Sequence, residues 1–155
     1  MAILALPDEK ATRALAAVIA DALAPNSVLF LHGELGVGKT AFVKGLVSAL
    51  GCDDSVLSPS FPIMHSYATT KGELLHLDLY RLDEGCDFYA LGLLDKIDHV
   101  MWAVEWPEKG AEHWLSPDLS LRFSFGEGLR QVELIAHSEA SENLLQVVQD
   151  RGFIK

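Results

Sequence analysis

The chain has 155 residues, half of them hydrophobic, and sets 12 Lys and Arg against 22 Asp and Glu for a formal net charge of −10. That hydrophobic share excludes a disordered chain, and the length suits one domain, residues 1–155, with a real core. Its cations are scattered singly, which argues against tight direct binding to a nucleic-acid backbone; such binding needs a basic face. A role in a nucleic-acid pathway would run through a protein partner that carries basic patches.

Asp8, after Pro7, suits a helix N-cap. Leu15, Val18, Ile19, Ala22 and Leu23 then make an apolar stripe of helical period that stops before Pro25-Asn26. Val28-Leu29-Phe30-Leu31 is short and wholly apolar, which predicts a buried parallel strand. Phe42, Val43, Leu46, Val47 and Leu50 return to helical spacing, and Gly51 ends that helix. Ser58-Pro59-Ser60 is a loop. Residues 61–67 and 74–80 predict strands joined by a turn at Lys71-Gly72, a hairpin. Residues 87–97 predict a helix, weakened at Gly92. Residues 100–105 form another apolar strand, and Ser116-Pro117 breaks the chain. Leu119–Phe125 and residues 131–136 predict a second hairpin across Gly126-Glu127-Gly128, followed by a helix over Glu139–Asp150. The fold class is α/β, with parallel core strands and antiparallel additions.

Four motifs carry chemistry. Gly33-Glu34-Leu35-Gly36-Val37-Gly38-Lys39-Thr40 reads G-x-x-x-x-G-K-T, a phosphate-binding loop between a strand and a helix. Its glycines let backbone N–H groups converge on an anion, and the helix N-terminus adds positive potential. Lys39 reaches β- and γ-phosphates, and the Thr40 hydroxyl ligates Mg²⁺. In His76-Leu77-Asp78-Leu79-Tyr80-Arg81, Asp78 ends an apolar strand, where such enzymes place a carboxylate for Mg²⁺ and its waters. In Val104-Glu105-Trp106-Pro107, Glu105 repeats that position, suited to orienting or deprotonating an attacking water, or to holding the metal. Ser58-Pro59-Ser60-Phe61 offers the Ser60 hydroxyl as a γ-phosphate or metal sensor. The catalytic set is therefore Lys39, Asp78 and Glu105, and the metal set Thr40, Asp78 and Glu105.

In this order and spacing, G-E-L-G-V-G-K-T, S-P-S-F, H-x-D-x-Y-R and E-W-P together resemble the TsaE (YjeE-type) family of bacterial ATPases. That family works in forming threonylcarbamoyladenosine (t6A) in tRNAs reading codons that begin with A. Leu6-Pro7-Asp8-Glu9-x-Ala11-Thr12 and Leu91-Gly92 extend the resemblance over nearly the whole chain. The phosphate loop alone marks a superfamily; its combination with H-x-D-x-Y-R and E-W is far more specific. The resemblance implies ATP hydrolysis with Mg²⁺, alongside a TsaB–TsaD complex that transfers the threonylcarbamoyl group and brings tRNA only indirectly. It implies a P-loop NTPase three-layer sandwich, parallel strands at its centre and antiparallel strands at its flanks. It also sets Thr12 near the nucleotide base and lets Arg130 reach the nucleotide. Ser60 stands where the family usually has Thr, and Asp87 replaces a Glu common before the Leu-Gly pair.

Three other classes share the phosphate loop. A small-molecule kinase of this size usually carries an Arg-rich lid, whereas Arg13, Arg81, Arg122, Arg130 and Arg151 are dispersed. A nucleotide-dependent assembly switch with negligible turnover is not separable from an ATPase by these residues. A GTPase would read its base with N-K-x-D; Asp95-Lys96-Ile97-Asp98 comes before the strand it should follow. Residues 1–6 lack a basic signal region, and no apolar run approaches the roughly 18 residues of a membrane span. Cys52 and Cys86 lack partner spacing. The expected setting is a reducing cytoplasm, without membrane.

Overall fold

The structure, a computed structural model, describes residues 2–52, 63–82 and 87–152. Seven strands form one mixed sheet: β1 (Ala2–Leu6), β2 (Val28–His32), β3 (Met64–Thr69), β4 (Gly72–Asp78), β5 (Met101–Glu105), β6 (Leu119–Phe125) and β7 (Arg130–Ala136). They lie in the order β1-β7-β6-β2-β5-β4-β3. The four central strands run parallel, and β1, β7 and β3 pair antiparallel at the flanks. This is the expected P-loop arrangement, with β2, the strand that delivers the phosphate loop, in the interior of the sheet.

The apolar run of β2 serves both faces. Leu29 and Leu31 join the core beneath α1 (Glu9–Ala22), α2 (Lys39–Ala49) and α3 (Glu139–Asp150), and Val28 and Phe30 join the core on the opposite side. A strand buried on both faces has no polar alternation to keep. The helices begin as their sequences dictate. The Asp8 carboxylate accepts the Ala11 N–H at 2.7 Å, and Ser138 and Ser141 cap each other reciprocally at the start of α3.

Two expectations change. Residues 87–97 do not form an α-helix. A turn closed by Leu91 N–H to the Asp87 carbonyl ends at Gly92, whose φ of +69° lies outside helical geometry, and only a 3-10 turn follows at Leu94–Lys96. The second outer layer is thus turns and short 3-10 segments, with Phe88 stacked between Trp102 and Trp114. Residues 2–6, for which the sequence predicts no strand, form β1, with Ile3 exposed and Leu4 and Leu6 buried. The strand expected over 61–67 appears as Met64–Thr69, residues 61 and 62 lying outside the described residues. Cys52 is buried, and Cys86 lies outside the described residues. Among the described residues no helix is long and apolar enough to cross a membrane.

α1 crosses α2 at Gly45, where a Cβ would lie 2.9 Å from the Ala16 methyl and 3.1 Å from the Arg13 Cα. Glycine ordinarily weakens a helix interior by about 1 kcal/mol relative to alanine. Here the missing methyl is what lets two helices meet. Gly45→Ala is expected to destabilise the fold by about 1–2 kcal/mol net, because overpacking outweighs the propensity gain. Urea unfolding would show a lower midpoint; a higher one would mean that the helices part freely.

Candidate active site

The phosphate loop leaves β2 and ends at Gly38, the N-cap of α2, whose φ of +117° a side chain would rarely adopt. No side chain caps α2, so its first N–H groups stand open for an anion. The Val37 side chain is buried in the core and anchors the loop from below, while Leu35 is exposed at its crest. Leu35, Gly36, Gly38, Lys39 and Thr40 line a cavity of about 400 Å³, together with Asp78, Glu105 and Arg130. Gly33, Glu34 and Val37 belong to the loop but not to the cavity wall. Lys44, one helical turn after Thr40, and Glu9, Ala41 and Trp106 complete that wall.

Lys39 is 4 % exposed. Its ammonium donates to the Gly33 carbonyl of its own loop and lies 4.0 Å above the centre of the Trp106 ring. Burial pushes the Lys39 pKa down, opposed by the carboxylates of Glu105, Asp78 and Glu108. An ammonium taken from water and hydrogen-bonded to one carbonyl has donors to spare, and an incoming anion would complete its shell.

The carboxylates arrive from adjacent strand ends. Asp78 closes β4 and Glu105 closes β5, directly opposite in the parallel register. Glu105 is 2 % exposed, and both its oxygens lie 3.5 Å from the Thr40 hydroxyl. Its Oε2 lies 2.6 Å from Nε2 of the fully buried His76. Asp78 is more open, with Oδ1 accepting the Tyr80 N–H at 3.1 Å. One hydroxyl and two carboxylates on one cavity make an all-oxygen donor set, which fits a hard divalent cation such as magnesium. Thr40 and Glu105 are near neighbours joined only by long contacts, so both keep lone pairs to offer.

Trp106 follows Glu105 with φ +59° and ψ +51°, a left-handed conformation for a bulky residue that also precedes a proline. The turn is held by the Trp106 N–H on the Leu31 carbonyl at 3.2 Å. It swings the indole under Lys39 and against Tyr80, the two rings 5.0 Å apart. Backbone strain of this kind gathers where a side chain must be aimed. The E-W-P motif contains this residue, but its conformation is invisible in the letters.

A second cavity of about 500 Å³ lies between Pro7-Asp8 and the β6–β7 hairpin, walled by Phe125, Gly126, Gly128 and Leu129, and it shares Arg130 with the first. Thr12 lines neither cavity: it is buried, with its hydroxyl donating to the Asp8 carbonyl at 3.4 Å. Ser60 lies outside the described residues. Arg81 and Asp87 do not reach the cavity; Asp87 caps its own turn through the Tyr89 N–H at 2.9 Å. Sequence reasoning gave no role to Lys44, Trp106 or His76. The i, i+4 step from Thr40 is the signal that points to Lys44.

The family model described as "Threonylcarbamoyl adenosine biosynthesis protein TsaE" matches residues 6–132. The tRNA threonylcarbamoyladenosine biosynthesis protein TsaE of Aquifex aeolicus is 41% identical over 108 residues, 67% of this chain and 75% of that protein. Its counterpart in Rickettsia felis is 34% identical over 117 residues, 75% of this chain and 68% of that protein. The crystal structure of YdiB from Bacillus subtilis superposes with a TM-score of 0.73 at 29% identity, covering 96% of this chain and 94% of that one. The chain therefore belongs to the TsaE family of tRNA threonylcarbamoyladenosine biosynthesis proteins.

Proposed function

We propose that this chain binds ATP with magnesium in the cavity at the start of α2 and hydrolyses it as the nucleotide-driven component of cytoplasmic tRNA t6A modification. It would act with a TsaB–TsaD complex. The observation that carries the reading is the meeting of Lys39 and Thr40, at an uncapped helix N-terminus, with the buried carboxylate of Glu105. Lys39 exchanges its bond to the Gly33 carbonyl for phosphate oxygens, and the open N–H groups of α2 bind the same anion. Thr40, Glu105 and Asp78 would hold the magnesium. When bound, that ion neutralises phosphate charge and orients the leaving group. Glu105 turns an oxygen toward the attacking water and accepts its proton. Phe125 and Leu129 in the adjoining cavity would hold the base, and Arg130, which lines both cavities, would reach the nucleotide between them.

Direct contacts lead from Lys39 to the surface. Lys39 lies on Trp106, and Trp106 packs against Tyr80, which is 40 % exposed beside Arg81. When Lys39 moves to a phosphate, the support of both rings changes, and a partner docked over Tyr80 and Arg81 senses nucleotide state. At net charge −10 the chain has little means of holding tRNA by itself.

A gel-shift titration at physiological salt is expected to show no tight tRNA complex with the isolated protein, and recruitment only when TsaB and TsaD are added. A pull-down with those partners is expected to depend on ATP and to weaken in Arg81→Ala. Tight tRNA binding alone would overturn the charge argument. Docking that ignores both nucleotide and Arg81→Ala would overturn the coupling.

A further inference from the structure

His76 lies on β4, behind the cavity wall to which that strand contributes Asp78, and is fully buried. It lies two residues before Asp78 on β4, so the two side chains share a face of the sheet. That face is the one covered by α2, because Leu74, on the same alternation, belongs to the core beneath the helices. Across the parallel register His76 pairs with Ala103, and Glu105 lies one diagonal step on, within reach of a long side chain. The imidazole uses that reach: Nε2 lies 2.6 Å from Glu105 Oε2. Its other nitrogen, Nδ1, is buried with no hydrogen-bond partner among the described residues.

A buried imidazole with one orphaned nitrogen is costly, and an apolar side chain would suit this position better if packing were its only task. Its single polar bond goes to the carboxylate that faces Thr40. By contrast, the Thr40–Glu105 contacts of 3.5 Å are too long to hold that carboxylate still.

We infer that His76 is a positioning residue for Glu105. Its Nε2–H holds Oε2, and so fixes the carboxylate against the Thr40 hydroxyl with Oε1 left outside that bond. With Glu105 ionised, as a metal-holding or water-orienting carboxylate must be, Nε2 is the donor. Carboxylates at metal sites are commonly held in this way, and loss of such a support typically costs roughly 10–100-fold in metal affinity or activity. The inference rests on the reading of Glu105 as the working carboxylate of an ATP–magnesium site.

Two variants of the full chain separate positioning from packing. His76→Leu removes the donor and keeps the bulk apolar; His76→Gln keeps an N–H at about the reach of Nε2. Calorimetry with a non-hydrolysable ATP analogue, with and without Mg²⁺, supplies a readout apart from turnover. His76→Leu is expected to lose roughly 10–100-fold of the magnesium-dependent gain in affinity while metal-free affinity changes little. Its kcat is expected to fall more than KM changes, and His76→Gln to recover most of both. Combined with Glu105→Gln, His76→Leu should add little further loss, since both act through one carboxylate. An equal loss of affinity with and without metal, no rescue by glutamine, or additive losses in the double variant would overturn the inference. The nucleotide-free protein provides a test that stands even if ATP does not bind. Proton NMR should show a downfield imidazole N–H resonance that disappears in His76→Gln and shifts in Glu105→Gln. Absence of that resonance refutes the hydrogen bond itself, whereas its presence without any nucleotide binding refutes the ATP reading instead.

Discussion

Lys39→Ala is expected to weaken ATP binding by at least about 10²-fold, from the loss of charge-assisted contacts to two phosphates worth roughly 1.5–3 kcal/mol each. The fold should survive the change. Burial works against the Lys39 charge and the Glu105, Asp78 and Glu108 carboxylates work for it, so its removal relieves one desolvation cost and takes a cation from the buried Glu105 carboxylate. With these effects opposed, thermal melting of the nucleotide-free variant should stay close to that of the parent. The addition of ATP and magnesium should raise the melting temperature of the parent alone. Unchanged ATP affinity by calorimetry would rule out the phosphate-loop assignment.

Glu105→Gln is expected to keep metal-free ATP binding, to lose much of the magnesium-dependent gain in affinity, and to lose about 10²–10⁴-fold in turnover, the range for a residue that positions or deprotonates a nucleophile. The substitution preserves shape and hydrogen bonding. The glutamine carbonyl still accepts the N–H of His76, which lies 2.6 Å from the carboxylate, and the amide faces Thr40. Glu105→Ala is a poorer probe, since it strands the buried imidazole with neither nitrogen partnered and confounds stability with catalysis. Turnover is best measured with the TsaB–TsaD partners present, so that a partner-activated rate is not missed. Wild-type turnover in Glu105→Gln would make Glu105 a bystander and shift attention to Asp78, the more open of the two carboxylates.

What could be read in advance follows from the range of each interaction. Gly33 to Thr40 announce a phosphate loop because local backbone geometry, glycine freedom and a helix start are all encoded within eight residues. The apolar run of β2, the stripe of α2, both hairpins and the bounds of α3 were legible for the same reason: periodicity and turn chemistry act over a few residues. Asp78 and Glu105 were legible as strand-end acids. The helix expected at 87–97 failed locally, where Gly92 at φ +69° stops what periodicity alone would continue.

The rest was decided by the tertiary structure. Residues 2–6 become a strand only because β7 offers an edge to pair with, which no local pattern of five residues reveals. The register that sets Asp78 opposite Glu105, and His76 one diagonal step behind, is a property of two strands separated by more than twenty residues. The left-handed turn at Trp106, which brings an indole beneath Lys39, is held by a bond to β2. Sequence by itself determined the chemistry available, a phosphate loop with two strand-end carboxylates, because motif residues carry their reactivity with them. The tertiary structure alone decided how those groups support one another. Burial of Lys39, the ring beneath it and the imidazole behind Glu105 arise from distances across the sheet, and distance sets the strength of desolvation and hydrogen bonding.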